Sequence, residues 1–254
     1  MNDITARRRS ITGFGIATLI IVATLLSLGF WQLQRRTEKH ALIAALDARL
    51  AEAPVALPSP DRWSAMSAAT DEFRRVTFTA TYKPLPDAMV YSSGSGVRPD
   101  VPGAVTWAFL PAALASGATV VVNTGFVQNT MQDRAQQDRV VKTLMTGAPV
   151  MLTGYLRFPE TAGTLTPHDD VSKRLWFNRD QRAMASALGW GDVAPFYLDL
   201  ETPVPANGIP RPGPLVVRLK DDHMQYAITW FSLAAAVVIA FGIWTRGQRS
   251  AAKP

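Results

Sequence analysis

Apolar and polar positions divide the chain into three textures. From Ser10 to Gln34 no Asp, Glu, Lys or Arg occurs, and "ITGFGIATLIIVATLLSLGFWQL" is nearly all apolar. From Met224 to Thr245 there is again no charge, across "YAITWFSLAAAVVIAFGIW". A helix rises about 1.5 Å per residue, so roughly 20 residues cross a hydrocarbon core of about 30 Å. Both runs are long enough to span. The first is too long for a typical signal-peptide core, and no A-x-A-like cleavage pattern closes it. It ends in Phe30, Trp31 and Gln32, then Arg35 and Arg36, an aromatic anchor followed by snorkelling charges.

Between the two runs the periodicity changes twice. "TEKHALIAALDARLAEAP" carries Ala41, Leu42, Ala45, Leu46 and Leu50 at helical spacing, with Pro54 as the stop, a helix that prolongs the first span or folds back. From Phe73 the texture is that of strands. In "FRRVTFTATY", Val76, Phe78, Ala80 and Tyr82 alternate with Arg75, Thr77, Thr79 and Thr81. "AMVYS", "AVTWAFL", "TVVVNTGFV", "PVMLTGYLRF", "PFYLDLE" and "PLVVRL" follow, parted by Gly- and Pro-containing turns. One helix is predicted in "RDQRAMASALG", stopped by Gly189. The expected fold is a membrane protein in which two transmembrane helices flank a mainly antiparallel β (α+β) extracytoplasmic domain, a barrel or sandwich of six or seven strands.

Charge sets the orientation. The net charge is +6, and Arg7, Arg8, Arg9, Arg246, Arg249 and Lys253 oppose only Asp3 in the tails. The basic excess sits where the positive-inside rule wants it, which removes the case for nucleic-acid binding. The expected layout is a cytoplasmic tail at 1–10, a first span at 11–33, and an exported β-rich domain at 34–222 whose residues 34–53 are helical. A second span at 223–244 and a cytoplasmic tail at 245–254 complete it.

Motifs for common enzyme chemistries are missing: no H-E-x-x-H, Walker A, G-x-G-x-x-G or G-x-S-x-G occurs. With no cysteine, thiolate nucleophiles, disulfides and Cys-ligated metals are excluded. Of three histidines, His40 reads as a solvated helix residue and His168, in "TLTPHDD", as a solvated turn. His223 is placed differently, at the start of the second span. Asp222 suits an N-cap, and Gln225 completes a capping-box spacing. Tyr226, Ala227 and Trp230 share its helical face. On the first span, Leu28, Trp31, Gln32 and Arg35 form a stripe at the same depth. Two readings stay open at this level: a polar cap on a membrane helix, or an imidazole ligand for a metal or haem iron, with guanidinium groups above for acidic substituents.

The ordered motifs resemble one family. "LGFWQLQRRTEKHALI" resembles the L-G-x-W-Q-x-x-R…K signature of the Surfeit locus protein 1 family, and "VVVNTGFV" its V-N-R-G-W-V segment, with Thr124 and Phe126 as departures. "GYLRFPETAGTLTP…WFNRD" and "FYLDLE…GIPRPG…HMQYAITWF" are similar to its later segments, so that residues 12–244 match in order. The resemblance implies a non-catalytic assembly factor for haem–copper cytochrome c oxidase in the bacterial inner membrane, multi-pass, with both termini cytoplasmic. It implies haem a as the bound cofactor and His223 as its axial ligand. Trp31, Gln32, Arg35, Tyr226 and Trp230 are the further cofactor-binding candidates. The implied partners are oxidase subunit I, haem A synthase and the lipid bilayer. A scaffold that holds subunit I without binding haem is the alternative. Trp107 and the "WFNRD" residues Trp176, Arg179 and Asp180 are open to structural or partner-facing roles.

Overall fold

The structure, a computed structural model, describes residues 2–92, 98–101, 103–128, 133–216 and 221–250, with side chains described between Thr12 and Gln248. It divides into two compact units, residues 45–218 and a pair of terminal segments, 1–44 with 219–254.

Helix α1, Asn2–Ala51, runs unbroken, so the predicted helix after the first span prolongs it rather than folding back. Its apolar part and that of the last helix are long and apolar enough to cross a membrane, with mean hydropathy of 2.1 and 2.0. After α1 come strand β1 (Val55–Ala56), a 3-10 turn at Pro60–Ala65 and the short helix α2 (Ala68–Asp71). Strands β2 (Arg75–Tyr82), β3 (Ala88–Ser92), β4 (Val105–Leu114) and β5 (Thr119–Gln128) precede helix α3 (Arg134–Lys142). Then follow β6 (Val150–Arg157), β7 (Leu175–Trp176), α4 (Gln181–Leu188), β8 (Tyr197–Thr202) and α5 (His223–Ser250).

Five strands close a barrel in the order β2-β6-β8-β5-β4, with β4 returning to β2. Closure removes the edges of the five strands. All these pairings are antiparallel except β5–β8. On the side away from β5, strand β4 serves two neighbours: Val105–Phe109 pairs with β3, and Ala112–Leu114 pairs with β2. Pro111 lies at the changeover, where its carbonyl accepts the Lys83 N–H. Its missing donor falls on that same side, in the gap between the two partners, and that is why a proline is tolerated mid-strand. Val76, Ala80, Leu110, Val122, Leu152 and Leu198, from all five strands, fill the interior. A second apolar cluster covers the outer face of β4, β5 and β8, where β3, β7 and α4 pack around Trp107, Phe109, Trp176 and Trp190.

The predicted alternation in β2 holds: Val76, Ala80 and Tyr82 are buried and Phe78 is half-buried. Helix α4 is capped by the Asp180 carboxylate, which accepts the Arg182 and Ala183 amides, and it ends at Gly189 with φ +69°. Three expectations are corrected. Among the described residues eight strands are present rather than six or seven, two of them only two residues long. Helix α3 was not anticipated, because its apolar residues are so few; its sequence-level mark is Asp133, which accepts the Ala135 amide. "PLVVRL" gives no strand at 214–216, and the rest of it lies outside the described residues.

A buried ionic chain fastens the outer face. Arg157 Nη1 donates to Asp199 (2.9 Å) and Arg157 Nε to Glu72 (2.6 Å), while Asn123 donates to the other Asp199 oxygen (2.6 Å). Burial works against the charge on Arg157, but Asp199 and Glu72 keep it protonated well above the usual arginine range.

Candidate functional site

Helices α1 and α5 pair antiparallel. Phe14 meets Trp244 at one end (ring centroids 4.8 Å) and Phe30 meets Phe231 nearer the other (5.3 Å). The less exposed positions of α1 include Thr18, Val22, Leu25, Gly29, Gln32 and Arg36, and those of α5 include Ala227, Trp230, Ala234, Val237, Phe241 and Trp244. Steps of three and four give a 3.5-residue repeat, the seam of two helices packed like a coiled coil. Gly29 is the closest approach: a Cβ there would lie 2.5 Å from the Phe231 ring. Only glycine lets that ring lie against the helix backbone.

That approach brings polar groups together one turn above it. His223 Nδ1 lies 2.7 Å from Gln32 Oε1. An amide oxygen can only accept, so Nδ1 carries the hydrogen and, in the neutral ring, Nε2 holds the lone pair. Nε2 has no hydrogen-bond partner among the described residues. A hydrogen bond on one ring nitrogen, fixing the tautomer and the ring plane, is the usual support of a metal-binding imidazole.

Arg36 and His40 follow Gln32 at i+4 and i+8, on the same face of α1. His40 Nε2 donates to Asp221 Oδ2 at 2.6 Å, and Arg36 Nε lies 3.8 Å from the same oxygen. The other oxygen, Oδ1, accepts the His223 amide (3.1 Å), so Asp221 caps the start of α5, and the Asp222 carbonyl takes the Tyr226 amide. Partial burial opposes ionisation of Asp221, but the His223 amide and His40 outweigh it and leave its pKa below the usual carboxylate value.

The sequence candidates separate into two sets. Gln32 and His223 meet. Trp230, on the His223 face, is half-buried, with its indole N–H lacking a partner among the described residues. Trp31 and Tyr226 are half-exposed on the outer sides of the pair. Arg35 turns away and pairs with Glu38 at 3.0 Å, leaving Arg36 as the arginine on the His223 side. His40 is 50% exposed, as expected of a solvated residue, and is also in contact with Asp221; the 32/36/40 spacing puts it on one face with Gln32 and Arg36.

Elsewhere His168 is exposed, as expected. Trp176 is buried in the outer cluster, and Arg179 is ion-paired to Glu160 (3.0 Å) over the face of Trp107. Asp180 is the helix cap described above. These contacts are all internal to the β-rich unit. Among the described residues no group of three or more His, Asp or Glu could hold a metal ion. A single imidazole suffices only for a metal that brings its own equatorial donors, and a porphyrin iron does.

Comparison with known proteins identifies the family. The model of the SURF1 family matches residues 19–235. Surfeit locus protein 1 of Xenopus tropicalis is 32% identical over 231 residues, covering 86% of this chain and 71% of the relative. The human protein of the same name is 28% identical over 229 residues, with 86% and 73% covered. A SURF1-like protein of Drosophila melanogaster is 32% identical over 248 residues, with 92% and 78% covered. With the match running from the first apolar helix through the barrel to the second, the chain belongs to the SURF1 family.

Proposed function

We propose that this chain is an assembly factor for haem–copper cytochrome c oxidase that receives haem a at His223 and assists its insertion into oxidase subunit I. The family is known for cytochrome c oxidase assembly. The observation that carries the haem reading is the Gln32–His223 hydrogen bond, which directs the Nε2 lone pair away from α1. Haem a is cargo, and no step makes or breaks a covalent bond in it. His223 Nε2 would hold the iron, Gln32 would hold the imidazole plane, and Trp230 would offer an apolar wall two turns further along α5. Arg36 gives a cation and His40 a hydrogen-bond donor at the polar edge, where the propionates of an amphiphilic macrocycle would lie.

The same proposal places α1 and α5 across the bacterial inner membrane, with both termini cytoplasmic and the barrel periplasmic. Support comes from the apolar lengths of the two helices and the basic residues outside them. Subunit I is the proposed recipient and haem A synthase the proposed donor.

The test is an optical spectrum of the protein purified after co-expression with a haem a biosynthetic pathway, beside His223→Ala. The expected result is haem a on the parent protein and its loss from a variant that is still folded and inserted. Equal haem on both would remove His223 as the ligand. No haem on either, with haem a present in the membranes, would favour the scaffold role instead.

A further inference from the structure

We propose that Asp221 is an internal latch: its carboxylate occupies an acid-binding seat between Arg36 and His40 that a carboxylate of the bound ligand takes over. The proposal rests on the haem reading above for the ligand's class, a macrocycle bearing acidic side arms. The seat itself rests on geometry. Asp221 Oδ2 is 2.6 Å from His40 Nε2 and 3.8 Å from Arg36 Nε. The Asp221 side chain is only 16% exposed, whereas Arg36 and His40 stay 42% and 50% exposed, open to a second acid from outside. Arg36 is one helical turn beyond Gln32 and His40 just over two, so both side chains start within about 12 Å along the axis of the residue that orients His223. A ligand held at Nε2 with flexible acidic arms can reach them.

Two carboxylates cannot share the seat without like-charge repulsion, so the incoming acid displaces Asp221. Displacement also frees Oδ1 from the His223 amide, which joins ligand capture to release of the first turn of α5. The latch keeps Arg36 and His40 paired while the site waits, and it weakens ligand binding by the strength of the contact that must be given up. Release of the ligand to a recipient is then assisted by the return of Asp221.

The test uses the full chain in phosphatidylcholine nanodiscs, with metal-free protoporphyrin IX and its dimethyl ester as probes, read by fluorescence quenching. The diacid should bind the parent protein more tightly than the ester. Asp221→Asn should tighten the diacid about ten-fold and leave the ester unchanged; Arg36→Gln should weaken the diacid about ten-fold and leave the ester unchanged, the scale of one charge-assisted contact. Equal binding of diacid and ester, or parallel loss of both in Asp221→Asn, would overturn the latch. Displacement of the diacid by an equal concentration of oleate would assign the seat to lipid acids and overturn the macrocycle as its occupant. Ferric protoporphyrin IX separates the two proposals. A Soret band indifferent to His223→Ala, with the diacid preference intact, sinks the axial ligand and spares the latch; a His223-dependent band without the preference does the reverse.

Discussion

The barrel and the helix pair are held together by opposite means. The barrel closes on itself, buries its interior from five strands and locks its outer face with Arg157, Asp199, Glu72 and Asn123. The helix pair has a close approach of Gly29 to Phe231, a thin seam and a polar tip. Its flanks, including Phe14, Ile20, Leu19 and Ile239, remain exposed apolar surface. The groups that the proposed function assigns to the ligand occur where the packing is sparse and polar rather than where it is dense, and Arg36 and His40 are 42% and 50% exposed there.

That contrast can be broken from either side. The largest effect is expected from Arg157→Ala, which strands Asp199 and Glu72 without their cation; breaking a buried pair in this way costs about 3–5 kcal/mol. Thermal unfolding of the purified protein should begin about 10 °C lower. A nitroxide distance between labels at Ile20 and Val238, sites made unique by the absence of native cysteine, should not change at lower temperatures.

Gly29→Leu attacks the other region. The added side chain must displace Phe231, an overpacking cost of about 1–3 kcal/mol. The label distance should lengthen and broaden while the barrel transition stays in place. A sharp distance distribution equal to the parent's would show that the seam does not depend on Gly29.

Gln32→Leu is expected to leave both the barrel transition and the label distance intact. It removes the acceptor from His223 Nδ1, so nitrogen NMR of the imidazole should show a mixture of tautomers in place of the Nδ1–H form. Ligand affinity should fall about ten-fold, as for loss of an orienting partner at a metal-binding histidine. Gln32→Glu, which restores an acceptor, should restore the Nδ1–H form.

The smallest effect is the acid response of the barrel unit. Partial burial opposes ionisation of Asp71, but the Thr70 hydroxyl, the Ser67 amide and Arg74 lower its pKa. The Arg98 guanidinium lowers that of Asp100, and the Ser172 hydroxyl with Lys173 brings Asp170 to about 2. Groups lowered on folding stabilise fully above the unfolded value of about 3.9, and that contribution is lost as pH falls through the folded values. The melting temperature should therefore be flat from neutrality to about pH 5 and decline towards pH 2.

How much of this could be read from the residues depends on where each signal resides. Alternation in β2 and the Asp180–Gly189 bracket around α4 are local patterns, and both elements form as expected. The strand read as "AVTWAFL" stops short of the real β4 because Pro111 looks like a terminator; only the switch from β3 to β2 shows why it is harmless. Strands β1 and β7 are two residues long, and their parallel pairings come from the fold, not from periodicity. At the site, His223 and Gln32 were legible as polar residues at span ends. Arg36 and His40 were not, because choosing between Arg35 and Arg36 requires the rotation of α1 about its axis, which packing against α5 sets.

The ring of Phe231 over Gly29 also has an evolutionary consequence. A lineage that enlarges residue 29 must shrink residue 231 in step, or lose the alignment of Gln32 with His223. Gly29→Ala paired with Phe231→Leu is the simplest exchange that would keep it.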